Sequence, residues 1–364
     1  MAHPTALDSE ALADFHHTLL QSKRIVALLG AGLSASSGVP TFATFRSQGP
    51  WRNYVADQFS TPAAFRHDPG LVWQYYSHMR HQALMADPNP AHYALAELAR
   101  QLPGFITLTQ NIDNLSQMAG HPAHQLRELH GNIFNLRCFD DVHCGYKEKS
   151  NLQDPITAAL EVKSEVKTKA VSEVASDAVV SPNIVKATPW LVKAIAQKNK
   201  QILGDEYQET QPTRVDQVPL KSSQGESLES RLAMVPEPSG LAQEDLPRCP
   251  KCSSNLLRPD IVWFGEPLLA GLVEEVNAIF SDPQPIDLCL VIGTSSTVWP
   301  AAGFPELARR KGARIAVVNI DTGNVKSMRP GIDWVFECDA SIAVPELLRP
   351  LVADLSMDTS TAAL

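Results

Sequence analysis

No stretch of this chain approaches 18 uninterrupted apolar residues, so a membrane-spanning helix is not expected. Residues 1–22 contain no Lys or Arg and do contain Asp8, Glu10 and Asp14. A secretory leader needs a basic start and an apolar run, and a mitochondrial presequence needs Arg without acids. Neither is expected here, and a cytoplasmic or nuclear location is. Six cysteines in 364 residues are too few for a secreted disulfide scaffold. Positive charge is in deficit, with 31 Lys and Arg against 40 Asp and Glu, a formal net charge of −9. That balance argues against direct binding to nucleic acid or to an anionic membrane. What remains is a chain 44% hydrophobic and 20% charged. It is long enough for two domains, or for one large α/β domain with an embellishment.

Four apolar runs punctuate it: Arg24–Gly30, Phe105–Asn111, Leu288–Ser296 and Arg314–Asp321. Each ends in Gly, Asn, Asp, Ser or Thr. Continuous apolar strands are what a parallel sheet covered on both faces requires. Helical patterns lie between them at 69–85, 90–101, 270–280 and 301–311, and a surface helix is expected at 8–20. The alternation predicts an α/β fold with a doubly wound parallel sheet, and the polar ends of the runs should converge on one crevice. Residues 147–246 break the rhythm. They hold no Cys and two aromatics, Trp190 and Tyr207, and are rich in Lys, Glu, Ser and Gln. This is the composition of a loosely ordered insertion, in which Pro189–Leu203 is the one helix-like patch.

The first run breaks into Gly30-Ala31-Gly32, followed by Ser34, Ser37-Gly38 and Pro40. Glycines here let the backbone approach a pyrophosphate at the N-terminus of a following helix; a tight strand–helix turn is the plain alternative. No third glycine follows at the dinucleotide spacing, which argues against an ordinary dehydrogenase. GAGLSASSGVP, then Thr109–Asp113 (TQNID), His130-Gly131, two cysteine pairs, Val262–Glu266 (VWFGE), Gly293–Ser296 (GTSS) and Asn319–Asp321 (NID) occur in that order. In this order they resemble the sirtuins, NAD-dependent protein lysine deacylases. The resemblance runs from about residue 24 to about 350, outside the insertion. Thr61–Tyr76 and Leu257–Glu266 look most like the branch that removes acidic acyl groups.

The resemblance implies a Rossmann-type sheet with a small zinc-binding domain. The expected organisation is an N-terminal extension over 1–22, a core over 23–350 and a tail over 351–364. Within the core, the Rossmann-type parts are 23–66, 86–137 and 260–350, and the zinc-bearing part is 138–259. Cys138, Cys144, Cys249 and Cys252 would hold one structural zinc, since four thiolates leave no open position; four unrelated free cysteines is the alternative. Cys289 falls inside a strand run and reads as core. His130 would be the base, its ordinary pKa lying near working pH. Asn111 would order the nicotinamide pocket and Asp113 would bind the carboxamide. Gln110 would meet ribose, and Gly30, Ala31, Gly32, Gly293, Thr294 and Ser295 the phosphates and ribose. Asn319, Ile320 and Asp321 would face the adenosine. Cys338 would lie on the adenine side, or simply pack. Val262, Trp263, Phe264 and Gly265 would form a strand-like wall along which an acyl-lysine protein or peptide pairs as an added strand.

Two departures stand out. The family has Phe-Arg directly after the Pro of its first motif. Here either Phe42 keeps its place with Ala43 as the Arg substitute, or Phe45 and Arg46 act after a two-residue insertion; Phe45 and Arg46 are the favoured register. The acid-selective branch reads the acyl carboxylate with a Tyr and an Arg three residues later. Tyr76 fills the first slot, Met79 the second, and Arg80 is one residue further round the helix. Mono-ADP-ribosyl transfer and a non-catalytic NAD-sensing module are the rival functions.

Overall fold

The structure is a computed structural model that describes residues 7–41, 59–140, 142–162, 239–269, 271–323 and 328–352. Phe45, Arg46 and Pro189–Leu203 lie outside the described residues.

In chain order the main elements are α1 (Ser9–Gln21), β1 (Ile25–Leu29), α2 (Pro62–His67), α3 (Pro69–Met85), α4 (Pro90–Gln101), β2 (Phe105–Thr109), α5 (Leu115–Met118), β3 (Leu126–Glu128) and β4 (Gly131–Cys138). They continue with β5 (Lys147–Glu148), β6 (Leu257–Ile261), α6 (Leu272–Ser281), β7 (Leu288–Ile292), α7 (Phe304–Arg310), β8 (Arg314–Asn319), β9 (Trp334–Glu337) and α8 (Ala340–Val352). Six strands form one sheet in the order β3-β2-β1-β7-β8-β9, and each pairing is parallel. This is the doubly wound order, with the second half entered after a large detour. The pleat sorts the strand residues onto two faces. Ile25, Ala27 and Leu29 pack with Phe15, Leu95 and Leu347 on one side. Val26 and Leu28 pack with Val276, Phe304 and Ala308 on the other, together with Cys289, which is core as expected.

The detour is the small domain, a three-stranded antiparallel sheet in the order β5-β4-β6. Helix α3 covers it: Trp73, Tyr75 and Tyr76 share one buried cluster with Ile133, Leu136, Ile261 and Trp263. Three expectations need correction. The resemblance implies that residues 131–137 belong with the large sheet, yet β4 pairs with β6 in the small one, because Gly131 is a switch from one sheet to the other. It has φ +78°, and a Cβ there would press into the Asp260 carbonyl at 2.2 Å. The N-terminal extension is not a surface appendage. Phe15 and Leu19 are fully buried in the core, and Asp14 bonds Arg314 and Trp334. The insertion is narrower than 147–246. Leu160 and Leu246 are buried in the small-domain core, Ser239 bonds Asp68, and Asn151 receives Arg80.

The two halves of the large sheet meet where strand order reverses, between β1 and β7. Gly32 N–H donates to the Gly293 carbonyl at 2.8 Å and Gly30 N–H to the Ile292 carbonyl at 2.9 Å. A Cβ on Gly293, whose φ is +63°, would lie 2.3 Å from the Leu33 nitrogen. Gly293→Ala should therefore cost roughly 3 kcal/mol or more of unfolding free energy, from left-handed backbone plus a backbone clash. Gly331 has φ +71° with nothing near its missing Cβ, so Gly331→Ala should cost only about 1 kcal/mol. Urea unfolding of the two variants measures the difference. Equal losses would mean that the contact between the two glycine loops is not tight.

Candidate active site and metal site

The cysteines come from two turns. Cys138 ends β4, and Cys144 follows in a turn closed by its own N–H to the Asp140 carbonyl. Cys249 and Cys252 sit on a knuckle in which Ser253 N–H returns to the Cys249 carbonyl. All four Sγ atoms lie within 4.8 Å of one another, with Cys138–Cys252 at 3.8 Å and Cys144–Cys249 at 3.5 Å. A disulfide needs about 2.05 Å. A tetrahedral ion about 2.3 Å from each thiolate needs sulfur–sulfur edges of about 3.8 Å. The donor set fits zinc as a closed, structural site.

Above the carboxyl ends of β1 and β2 a cavity of about 530 Å³ opens toward the small domain. It is lined by Ala31, Gln110, Asn111, Asp113 and His130 from the sheet side, and by Ser60, Tyr76, Met79 and Val262–Glu266 from the other. Gly30, Gly32, Gly293, Thr294, Ser295, Asn319, Ile320 and Asp321 are not in its wall. They line up beside it at the ends of β1, β7 and β8. Gln110 Nε2 crosses that edge to Thr294 Oγ1 at 3.0 Å, and Asn319 Nδ2 donates to the Asp321 carbonyl at 2.9 Å. Cys338 is buried in the main core, where burial pushes its thiol pKa up. The helix expected directly after Gly32 is instead two 3-10 turns, Ala31–Leu33 and Ala35–Ser37, closed by Gly38 in the left-handed region. Among the described residues 30–41 no α-helix begins.

His130 follows β3 and precedes the switch glycine. Its Nδ1 lies 3.1 Å from the Gln110 carbonyl. A carbonyl only accepts, so Nδ1 carries the proton and Nε2 keeps its lone pair. Burial lowers its pKa below the ordinary 6.5. Asn111 and Asp113 are joined through Ser34, a residue quoted in the first motif without a role. Asn89 N–H bonds His92 Nδ1 at 3.2 Å, so the fully buried His92, its pKa lowered to about 3 by burial, offers Nε2–H to Ser34 Oγ at 3.3 Å. Asn111 Nδ2 donates to the same oxygen at 3.2 Å. Ser34 must then spend its one proton on Asp113 Oδ2, at 2.6 Å. Burial raises the Asp113 pKa, against that bond and the one from Leu115 N–H. The sequence signal for His92 was available: Asn89-Pro90 opens α4, and His92 completes its capping box.

Val262–Glu266 corrects another expectation. The strand ends at Ile261, and the run is a turn. Glu266 accepts from Trp263 N–H and pairs twice with Arg258, at 2.6 and 2.9 Å. The Arg258 guanidinium stacks 3.2 Å from the Trp263 ring centre. Trp263 thus turns into the core, while Phe264 stays 43% exposed. Val262 N–H bonds the His130 carbonyl and Phe264 N–H the Ser60 carbonyl. An incoming chain meets these N–H groups already bonded.

On the side of α3, here called the arm, the cavity is lined by Ser60, Tyr76, Met79, Ala83 and Ile133, with Val262–Glu266 also in its wall. Tyr76 Oη accepts from Trp263 Nε1 at 2.8 Å and lies 2.9 Å from Ser60 Oγ. Met79 faces the arm. Arg80 does not. It is buried and bonds the carbonyls of Ile133, Asn151 and Gln153. No Lys or Arg lines the cavity among the described residues.

Purified protein should hold about one zinc per chain by elemental analysis. Stripping it with a chelator should abolish the near-ultraviolet signal of Trp73 and Trp263, which pack in the same cluster as the cysteines. Metal-free protein with an unchanged spectrum would remove the ion from the folding of this domain.

The Sir2 family profile matches residues 30–202 and 221–300. An NAD-dependent protein deacylase of Candida albicans is 36% identical over 351 residues, covering 95% of this chain and all of the relative. One from Thermococcus kodakarensis is 33% identical, covering 91% and 92%. A solved complex of a Sir2 homologue with NAD superposes with a TM-score of 0.61 at 25% identity, covering 98% of each chain. With the doubly wound sheet, the four-cysteine domain and the cavity between them, these matches lead to one conclusion: the chain belongs to the Sir2 family.

Proposed function

We infer that this protein is an NAD-dependent protein lysine deacylase, yielding nicotinamide, 2′-O-acyl-ADP-ribose and free lysine. One observation carries the reading. A histidine of fixed tautomer, an Asn/Asp pair anchored on a buried serine, and an apolar arm open into the same cavity at the reversal point of the sheet. NAD, when bound, supplies a ribose carbon that accepts the acyl oxygen as nicotinamide departs. His130 Nε2 would take a proton from a ribose hydroxyl, a role supported by its other nitrogen being held at the Gln110 carbonyl. Asn111 and Asp113 would order the nicotinamide end, and Ser34 fixes both. Gly30, Ala31, Gly32, Gln110, Thr294 and Ser295 would carry the phosphates and ribose, and Asn319, Ile320 and Asp321 the adenosine. The peptide would lie along Val262, Phe264 and Gly265. Mass spectrometry of the protein with NAD and acyl-lysine peptides tests the reading directly.

His130→Ala should lower turnover by about 100-fold or more while zinc and NAD binding persist. The acid limb of kcat/KM should lie below pH 6.5, since burial disfavours the imidazolium and keeps the base form present at lower pH. An acid limb above 6.5 would point to a different base.

Although Thr61–Tyr76 and Leu257–Glu266 resemble the acidic-acyl branch, we propose that uncharged acyl groups are the better substrates. The support is Met79 in the cation slot and Arg80 tied to three carbonyls. An unpaired carboxylate in an apolar arm is costly. Acetyl-lysine or longer neutral acyl-lysine should match or exceed succinyl-lysine in kcat/KM. Met79→Arg should move the ratio toward succinyl by about tenfold, or ~1.4 kcal/mol. A strong succinyl preference in the unaltered enzyme would overturn this assignment.

A further inference from the structure

We propose that Ser60 reads the tail of the acyl chain, so that among uncharged acyl groups the enzyme prefers those carrying a hydroxyl or carbonyl oxygen at that depth. The inference rests on the deacylase reading and names its substrate class.

The indole N–H of Trp263 can only donate, so Tyr76 Oη is its acceptor. Tyr76 is buried, and among the described residues its other polar neighbour is Ser60. If Ser60 gave its proton to Tyr76, the phenolic hydrogen would be left buried and unpaired, at a cost of about 1–3 kcal/mol. The phenol therefore donates to Ser60, and burial, which raises its pKa to about 12, keeps that proton in place. The relay runs one way: Trp263 to Tyr76 to Ser60. Its end is a serine oxygen that has accepted a hydrogen bond and still holds its own proton. Among the described residues nothing else takes that proton, and Ser60 is half-buried in the wall of the arm.

The lining of the same cavity includes Met79, Ala83 and Ile133, whose side chains offer at most the weak thioether sulfur as an acceptor. Ser60 is thus one neutral donor in an apolar surround. An alkyl tail that fills the arm strands this donor, whereas a tail oxygen satisfies it. A site that hydrogen-bonds a substrate hydroxyl discriminates against the analogue lacking it, because its own polar group is left unpaired. A carboxylate is not served equally well, because a single neutral donor does not replace its hydration without a cation.

The experiment compares butyryl- and valeryl-lysine peptides with their 3-hydroxy, 4-hydroxy and 4-oxo counterparts. The readout is the ratio of kcat/KM for each oxygenated group to that of its parent. At one chain position the unaltered enzyme should favour the oxygenated group by about fivefold or more, and Ser60→Ala should bring that ratio close to one. Tyr76→Phe should lose most of the preference too, although the serine remains, because the hydroxyl is no longer held as an acceptor. A role of Ser60 in shape alone would leave the Tyr76→Phe ratio unmoved. Ratios that are the same in the unaltered enzyme and Ser60→Ala at every position overturn the proposal while the deacylase reading stands. Absence of turnover with every peptide overturns both.

Discussion

The contact between two glycine loops at the reversal of the sheet is the constraint on which the rest depends. The N–H groups of Gly30 and Gly32 bond the last residue of β7 and the glycine after it, at a spacing that a Cβ on any of three glycines would break. Because β1 pairs with β2 as well as β7, this contact fixes the level at which three strands end. Leu29 lies beside both Thr109 and Ile292. Gln110, the residue directly after β2, then bridges to Thr294 and presents its carbonyl to His130. The tautomer of the proposed base is thus set two strands away from the glycines that fix the geometry. The glycines serve loop against loop here, and any approach of a phosphate uses a backbone already held in place.

The second determinant is how the small domain is seated. Gly131 lets the chain leave His130 and enter β4 at once, so the histidine stands at the junction of the two sheets. Across the junction, the Arg258–Glu266 pair folds Val262–Glu266 into a turn and sends Trp263 inward. A buried ion pair of this kind contributes little net stability. Its effect is on shape: it decides which of two adjacent aromatics faces the cleft. The cysteine cluster closes the far end of the same core.

The large sheet was legible in the sequence because strands covered on both faces leave continuous apolar runs. Helices α3 and α4 were legible because Pro follows a capping Asp or Asn at the start of each. The cysteine cluster was legible through resemblance more than spacing, since one pair has five residues between its members. What escaped was decided by tertiary contact. Residues 131–137 fall in the Rossmann-type part that the resemblance implies, for sequence alone does not say which sheet a strand joins. Val262–Glu266 read as a strand because its apolar letters hide the charge pair that bends it. The ends of the insertion looked loose by composition, yet Leu160 and Leu246 bury and Ser239 ties to Asp68. Ser34 and His92 carry no signal of partnership at 58 residues' separation.

Arg80 shows why one residue of helical offset decides chemistry. Tyr76 and Met79 face the arm, while Arg80 points between α3 and the small sheet. There it satisfies carbonyls from β4 and from the segment after β5, and its guanidinium lies 5.1 Å from the Phe134 ring centre. Swinging it into the arm would strand the buried Ile133 carbonyl, at about 1–3 kcal/mol, and break the part-buried bonds to Asn151 and Gln153 as well. One new carboxylate bond of about 1.5–3 kcal/mol would not exceed the loss of all three bonds together. The cation is therefore held by the fold rather than available to the substrate. The polar character of the arm is left to the Trp263–Tyr76–Ser60 chain, which ends in a neutral hydroxyl.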